Sequence, residues 1–150
     1  MNKQPHRRIA GRQKARHFAM QALYQWHMAA TNAAQIEAEF LTGYDMERVD
    51  TEYFHTLLHG AINKSAQLTP LFAEHLDRSV EDLDPVELAL LRLGVYELLE
   101  SIDVPYKVVI NENVNLAKKF GATDSHKYIN GVLDKVARTL RKVEIHNGAV

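Results

Sequence analysis

A tyrosine and several basic residues near the C-terminus recur at a spacing that suits nucleic-acid binding. Tyr128, Gly131, Lys135, Arg138 and Lys142 follow one another at helical intervals, so a helix places them in one stripe. Lysine and arginine neutralise phosphates and release counterions, and an exposed ring stacks on a base with about 1–3 kcal/mol. The stripe therefore predicts a surface for single-stranded nucleic acid, and Gly131 leaves the backbone open to close approach.

A second set of such residues lies near the N-terminus. Arg12 and Arg16 are one helical turn apart, Lys14 lies between them in sequence, and the same i+4 row leads on to Tyr24. We predict that these basic residues contact phosphates and that Tyr24 stacks on a base. Two alternatives stay open: the arginines form a solvated arm, and the rings of Tyr24 and Tyr128 pack in the core with satisfied hydroxyls.

Acidic residues near these stripes also have two interpretations. Asp124 lies one turn before Tyr128 and either accepts a hydrogen bond from a base edge or caps the last helix. A group of acids in the middle of the chain suits a basic protein, although acids at a helix start also favour the helix dipole. This group consists of Glu74, Asp77, Glu81, Asp82, Asp84 and Glu87.

The charges are segregated along the chain. The formal net charge is only −1, with 18 lysines and arginines against 19 acids. Residues 1–36 nevertheless carry six basic groups and no acid, residues 37–106 carry a net charge of −11, and residues 107–150 carry +4. This pattern indicates one surface for an anion and another for a basic partner. The alternative is that distant segments mix their charges on folding.

Signals of an enzyme or of a metal site are missing or weak. The chain has no cysteine, which removes thiolate ligands and nucleophiles, and it lacks the phosphate-loop, dinucleotide and nucleophile-elbow motifs. His55 and His59 have the i, i+4 spacing of metal ligands, but no third ligand can be recognised, so two surface histidines are preferred. The acids at 81–87 lack accompanying nucleophiles or bases. We expect no catalytic residue, metal or cofactor.

The apolar residues predict the elements that must position these side chains. Their spacing is helical almost throughout, with a first helix over about residues 8–30 and no alternating strand pattern. Asp50, Asp84 and Asp124 are predicted helix caps, and Thr69-Pro70 is a predicted helix start. We expect one all-α domain over residues 1–150, with about seven helices and a flexible basic arm over 1–11. No apolar run suits a membrane, and the lack of cysteine fits the cytoplasm.

Several motifs together resemble the NusB family of transcription antitermination factors. The resemblance spans about residues 12–141. It is carried by residues 15–26 (ARHFAMQALYQW), 83–87 (LDPVE), 103–112 (DVPYKVVINE), 116–121 (LAKKFG) and 124–135 (DSHKYINGVLDK).

The resemblance implies a fold and a function. Members are all-helical and consist of two packed helical halves. With the ribosomal protein NusE they bind the boxA element of nascent RNA, and with other Nus factors they help RNA polymerase read through terminators in ribosomal RNA operons. Carried over, the RNA-contacting positions are Arg12, Lys14, Arg16, Tyr24, Asp124 and Tyr128, and Glu87, with Glu81 nearby, faces NusE.

Two other functions stay open beside this one. The first is a protein-interaction module in which apolar residues of the first helix seal a homodimer. The second is a detached helical domain of a ribosomal RNA cytosine methyltransferase, since those enzymes carry the same helical fold before a catalytic domain. The sequence leaves monomer and homodimer undecided.

Overall fold

A computed structural model describes residues 4–148, which form helices and connecting turns without a strand. Within that range there are eight α-helices and one short 3-10 helix, Val80–Asp82. The α-helices are α1 Gln4–Ala29, α2 Ala33–Gly43, α3 Thr51–Asn63, α4 Ser65–Ala73, α5 Pro85–Glu100, α6 Tyr106–Phe120, α7 Ser125–Leu140 and α8 Lys142–Gly148. The all-α prediction is confirmed, while the expected number of about seven helices is slightly low.

Side-chain caps fix the starts of three helices. The carboxylate of Asp50 accepts a hydrogen bond from the backbone N–H of Tyr53 over 2.9 Å, and Asp84 caps α5 in the same way. Asn32 caps α2. Each cap satisfies a backbone donor that has no partner inside the helix. The predictions for Asp50 and Asp84 are therefore confirmed.

The predicted helix start at Thr69-Pro70 is wrong. Helix α4 already begins at Ser65, since Lys64 alone separates it from α3. Pro70 therefore lies inside the helix. Proline removes one hydrogen bond there. The hydroxyl of Thr69 donates to the carbonyl of Ser65 over 2.8 Å.

Both ends of the described chain differ from expectation. Residues 4–11, part of the expected arm over 1–11, belong to α1, and residues 1–3 lie outside the described residues. The last long helix ends at Leu140, and α8 follows after a bend at Arg141. The guanidinium of Arg141 is buried and donates to carbonyls at the end of α5, including Leu98 over 2.7 Å. This anchor accounts for the break between α7 and α8.

The helix α5 lies at the centre of the core. Most of its residues are buried, and Leu90, Leu91, Leu93 and Leu98 are completely so. Helices α1, α3, α4, α6 and α7 all pack against it. None of the helices between residues 4 and 148 combines the length and hydropathy that crossing a bilayer requires.

The directions of α1 and α7 follow from their contacts with α5. The N-terminal part of α1 lies near Asp103, just beyond the end of α5, while Tyr24 and Val86 line one groove near its start. The helix α7 begins beside Glu87. Helix α1 therefore runs antiparallel to α5, and α7 runs parallel to it. Tyr24 and the start of α7 consequently lie toward the same end of the molecule.

Candidate nucleic-acid interface

Arg16 is part of the core, not of the surface. Only 3% of the residue is exposed, and its Nε donates to the two carboxylate oxygens of Glu97 over 2.8 and 3.0 Å. The hydroxyl of Tyr53 donates to the same carboxylate over 2.5 Å. The expectation of an exposed guanidinium at Arg16 is therefore wrong, because its charge is neutralised inside the fold by α5.

The electrostatics of this buried cluster keep the Arg16 guanidinium charged. Burial alone would lower the pKa of Arg16, but the adjacent Glu97 carboxylate raises it above its ordinary value. Burial, together with the same carboxylate, raises the pKa of Tyr53, so the phenol stays protonated as a donor. The cluster joins α1, α3 and α5.

Arg12 is also partly engaged within the fold. Its guanidinium lies 4.3 Å from the centre of the Tyr53 ring, and Nη1 donates to Asp103 over 3.3 Å. Arg8 lies 4.0 Å from the same carboxylate. Charges of the basic N-terminal segment and of the acidic middle segment therefore partly neutralise each other. This is the alternative named above, in which distant segments mix their charges on folding.

A groove lined by charged residues lies beside α1, and Lys14 is one of them. This groove, of about 520 Å³, lies between α1, α6 and the loop joining α2 to α3; we call it the lysine groove. Lys119 and Asn115 of α6 line its other side, with His17 at the boundary. Burial and the nearby Lys119 lower the pKa of His17, so that it is neutral near pH 7. The groove thus holds two positive groups, Lys14 and Lys119, and two carboxylates, Asp45 and Glu112.

Lys119 is absent from the residues predicted to bind RNA. The signal was present as the Lys118-Lys119 pair in the last turn of α6. Basic residues at a helix C-terminus also favour the helix dipole, so their presence by itself does not indicate a binding site. Only the packing of α6 against α1 brings Lys119 opposite Lys14.

A second groove, of about 500 Å³, holds several aromatic rings beside the C-terminal half of α1; we call it the aromatic groove. Tyr24 is 38% exposed, so its ring is open to solvent. Tyr44 and Phe120 also line this groove. The Phe120 ring lies 5.0 Å from the ring of His17, which lines the lysine groove. The two grooves therefore adjoin at Phe120.

Tyr128 lies on a different part of the surface. Its ring is half-buried, and its hydroxyl donates to Asp77 over 3.1 Å. The guanidinium of Arg78 lies 4.7 Å from the ring centre. Burial and the hydrogen bond to Asp77 raise the pKa of Tyr128. A stacked base would therefore share or displace the contact with Arg78.

The other predicted residues of α7 are exposed. Asp124 is the N-cap residue of α7, as predicted, but its side chain makes no capping hydrogen bond. Its carboxylate lies 3.7 Å from Nζ of Lys127. Lys135 is exposed. Arg138 is exposed as well, although it pairs with Asp134 over 2.8 Å. Asp124 thus keeps acceptor capacity toward solvent.

Glu87 and Glu81 differ in their surroundings. Glu87 is 7% exposed, and its carboxylate accepts a hydrogen bond from the hydroxyl of Ser125 over 2.8 Å, which ties α5 to α7. A surface position for Glu87 is therefore wrong, whereas Glu81 lies exposed on the 3-10 helix. We call the exposed acids of this region the acidic face: Glu74, Asp77, Glu81, Asp82 and Asp84.

Comparison with known proteins shows the family to which the chain belongs. The family model described as the NusB family matches residues 13–138. The transcription antitermination protein NusB of Teredinibacter turnerae is 59% identical over 138 residues, which are 91% of this chain and 94% of that protein. The same protein of Alcanivorax borkumensis is 56% identical over 135 residues, 90% of each chain.

Solved structures show the same fold. NusB of T. maritima superimposes with a TM-score of 0.76 at 28% identity, covering 85% of this chain and 91% of that one. NusB in a crystal structure of antitermination factors NusB and NusE with dsRNA matches with a TM-score of 0.75 at 28% identity, covering 85% and 96%. The family model covers most of the chain, and two relatives exceed half identity over nearly their whole length. The chain therefore belongs to the NusB family of transcription antitermination proteins.

Proposed function

We propose that the chain binds boxA-type single-stranded RNA together with NusE, and that this complex acts on RNA polymerase with other Nus factors. The observation that carries the proposal is the junction of the lysine groove and the aromatic groove at Phe120. One strand laid across it meets lysines for its phosphates and exposed rings for its bases. Family membership and the similar NusB–NusE–dsRNA structure support the same proposal.

The strand has a defined course in this proposal. Lys14 and Lys119 neutralise phosphates, and Tyr24 stacks on a base. Beyond the start of α5, Asp124 accepts from a base edge and Tyr128 offers a second ring. Lys135 and Arg138 extend this part along α7. Arg12 contributes a charge that Asp103 partly offsets.

Arg16 has an indirect role in this proposal. Its buried pair with Glu97 fixes α1 against α5. The position of Lys14 and Tyr24 depends on that packing, since both project from α1. Arg16 is thus a positioning residue that makes no phosphate contact.

The acidic face is the proposed surface for NusE, with Glu81 at its exposed centre. Asp77 of this face accepts the hydrogen bond from Tyr128. A basic protein on the acidic face therefore adjoins the RNA at Tyr128, so we expect NusE to tighten RNA binding. Replacing Glu81 with lysine should weaken the assembly with NusE and leave binding of RNA by the chain alone unchanged.

A salt titration tests the electrostatic part. Each phosphate contact on a single strand adds about 0.7 to the magnitude of the slope of log K against log salt concentration. Lys14→Ala and Lys119→Ala should each reduce that magnitude by about 0.7. Lys64→Ala is the matched control, because it removes the same charge from a residue paired with Glu100 outside both grooves.

A ring deletion tests the stacking part. Tyr24→Ala should weaken RNA binding about 5- to 150-fold, which corresponds to about 1–3 kcal/mol, whereas Tyr24→Phe keeps the ring and the affinity. Single-stranded boxA RNA and a duplex of the same sequence should be compared, since the similar complex contains dsRNA. Salt-independent binding, or an unchanged affinity in Tyr24→Ala, would remove the proposed mechanism.

A further inference from the structure

The packing of α2 against α3 assembles three metal-ligating side chains away from both grooves. Glu37 lies on α2, while His55 and His59 lie one turn apart on α3. The sequence offered only the two histidines. The third ligand, Glu37, lies 18 residues before His55 in the chain and on a different helix. Only the tertiary fold brings it to the two histidines.

The distances within this cluster are short. One oxygen of Glu37 lies 2.7 Å from Nδ1 of His55, and the other lies 2.9 Å from Nε2 of His59. The two imidazole rings stack with their centres 4.1 Å apart. The three potential ligand atoms lie within 4.8 Å of one another. In a tetrahedral zinc site with bonds of about 2.0–2.1 Å, ligand atoms lie about 3.3 Å apart, so small side-chain rotations suffice.

The chemistry of the cluster suits one class of ion. Two neutral imidazoles and one carboxylate are donors for Zn²⁺, and they occur together where three protein ligands leave one position open. The side chain of His55 is 54% exposed, while those of His59 and Glu37 are 24% and 16% exposed. Solvent therefore reaches the cluster from the His55 side, and a water can complete the coordination.

We propose that Glu37, His55 and His59 form a Zn²⁺ site that clamps α2 to α3. The carboxylate that now bridges the two imidazoles would become the third ligand. Because the ligands come from two helices, ion binding stabilises the packed arrangement over the unfolded chain.

Calorimetric titration of the full, tag-free and chelator-treated chain with Zn²⁺ tests this proposal. The expected result is one ion per chain, with affinity at least tenfold weaker in Glu37→Gln and in His59→Gln. Glu39→Gln is the matched control on α2, because that carboxylate is exposed and bonds to Gln25. His27→Gln is the control for an exposed histidine outside the cluster. Both controls should bind Zn²⁺ as the unmodified chain does.

Thermal unfolding supplies an independent measurement. At a hundredfold excess of Zn²⁺ over the dissociation constant, the unfolding temperature should rise by about 5–10 °C in the unmodified chain. At the same Zn²⁺ concentration, the rise should fall to about half or less in Glu37→Gln. The proposal is overturned if Zn²⁺ does not bind, or if Glu37→Gln and His59→Gln bind it as tightly as the controls. Binding of that kind would arise from other histidines.

Discussion

Replacing Arg16 with methionine separates a structural arginine from one that contacts RNA. The substitution keeps an unbranched apolar stem but removes the guanidinium, so the carboxylate of Glu97 is left without its cation. That carboxylate is fully buried and retains only its hydrogen bond from Tyr53. Breaking a buried ion pair on one side costs about 3–5 kcal/mol, since the remaining charge is uncompensated. For a chain of this size, this corresponds to a fall in unfolding temperature of about 6–20 °C.

Urea unfolding followed by circular dichroism measures this loss directly. The double variant Arg16→Met, Glu97→Gln should recover part of the stability, because it no longer buries an unpaired charge. In RNA titrations below the unfolding transition, Arg16→Met should keep the salt slope of the unmodified chain, while Lys14→Ala reduces it. The reasoning is refuted if Arg16→Met loses less than about 1 kcal/mol. It is refuted equally if that variant reduces the salt slope by about 0.7.

Three further predictions concern two glycines and a carboxylate. Gly60→Ala should destabilise the fold by about 1–3 kcal/mol in urea unfolding, because an added Cβ would lie 2.3 Å from the Tyr96 ring. Gly131→Ala, which meets nothing within 4 Å, should stabilise α7 by about 0.5–1 kcal/mol; a stability loss there would contradict the open helix face. Burial alone would raise the pKa of the Glu144 carboxyl. The hydrogen bond from the backbone N–H of Tyr106 and the adjacent Arg141 outweigh burial, so the pKa is lowered. The Glu144 carboxylate thus stabilises the fold above pH about 4.5, and this stabilisation is lost as the pH falls through the lowered pKa. Glu144→Gln should cost about 0.5–1 kcal/mol at pH 7, because the site is partly exposed to solvent, and less at pH 3; an equal loss at both values would contradict the assignment.

Local sequence signals predicted much of the helical framework. Asp50 and Asp84 form the caps expected of them, because capping depends on residues within one turn. The prediction at Pro70 failed, because proline often begins a helix but here lies inside the short helix α4.

The candidate site was predicted only in part. Lys14, Lys135 and Arg138 are exposed as expected, and Tyr24 is open to solvent. Arg16 lies on the same helix as Lys14, and no signal in its own sequence neighbourhood distinguishes it as buried. Its partner Glu97 is 81 residues away in the chain.

The sequence by itself determined that this chain is helical, where several of its helices begin, and to which family it belongs. Those properties depend on periodicity, caps and motifs that are contiguous in the chain. The tertiary structure decided which charges remain available. It paired Arg16 with Glu97, placed Lys119 opposite Lys14, and brought Glu37 to two histidines. Whether a charge faces a ligand or a buried partner depends on contacts between distant segments, and these form only when the helices pack.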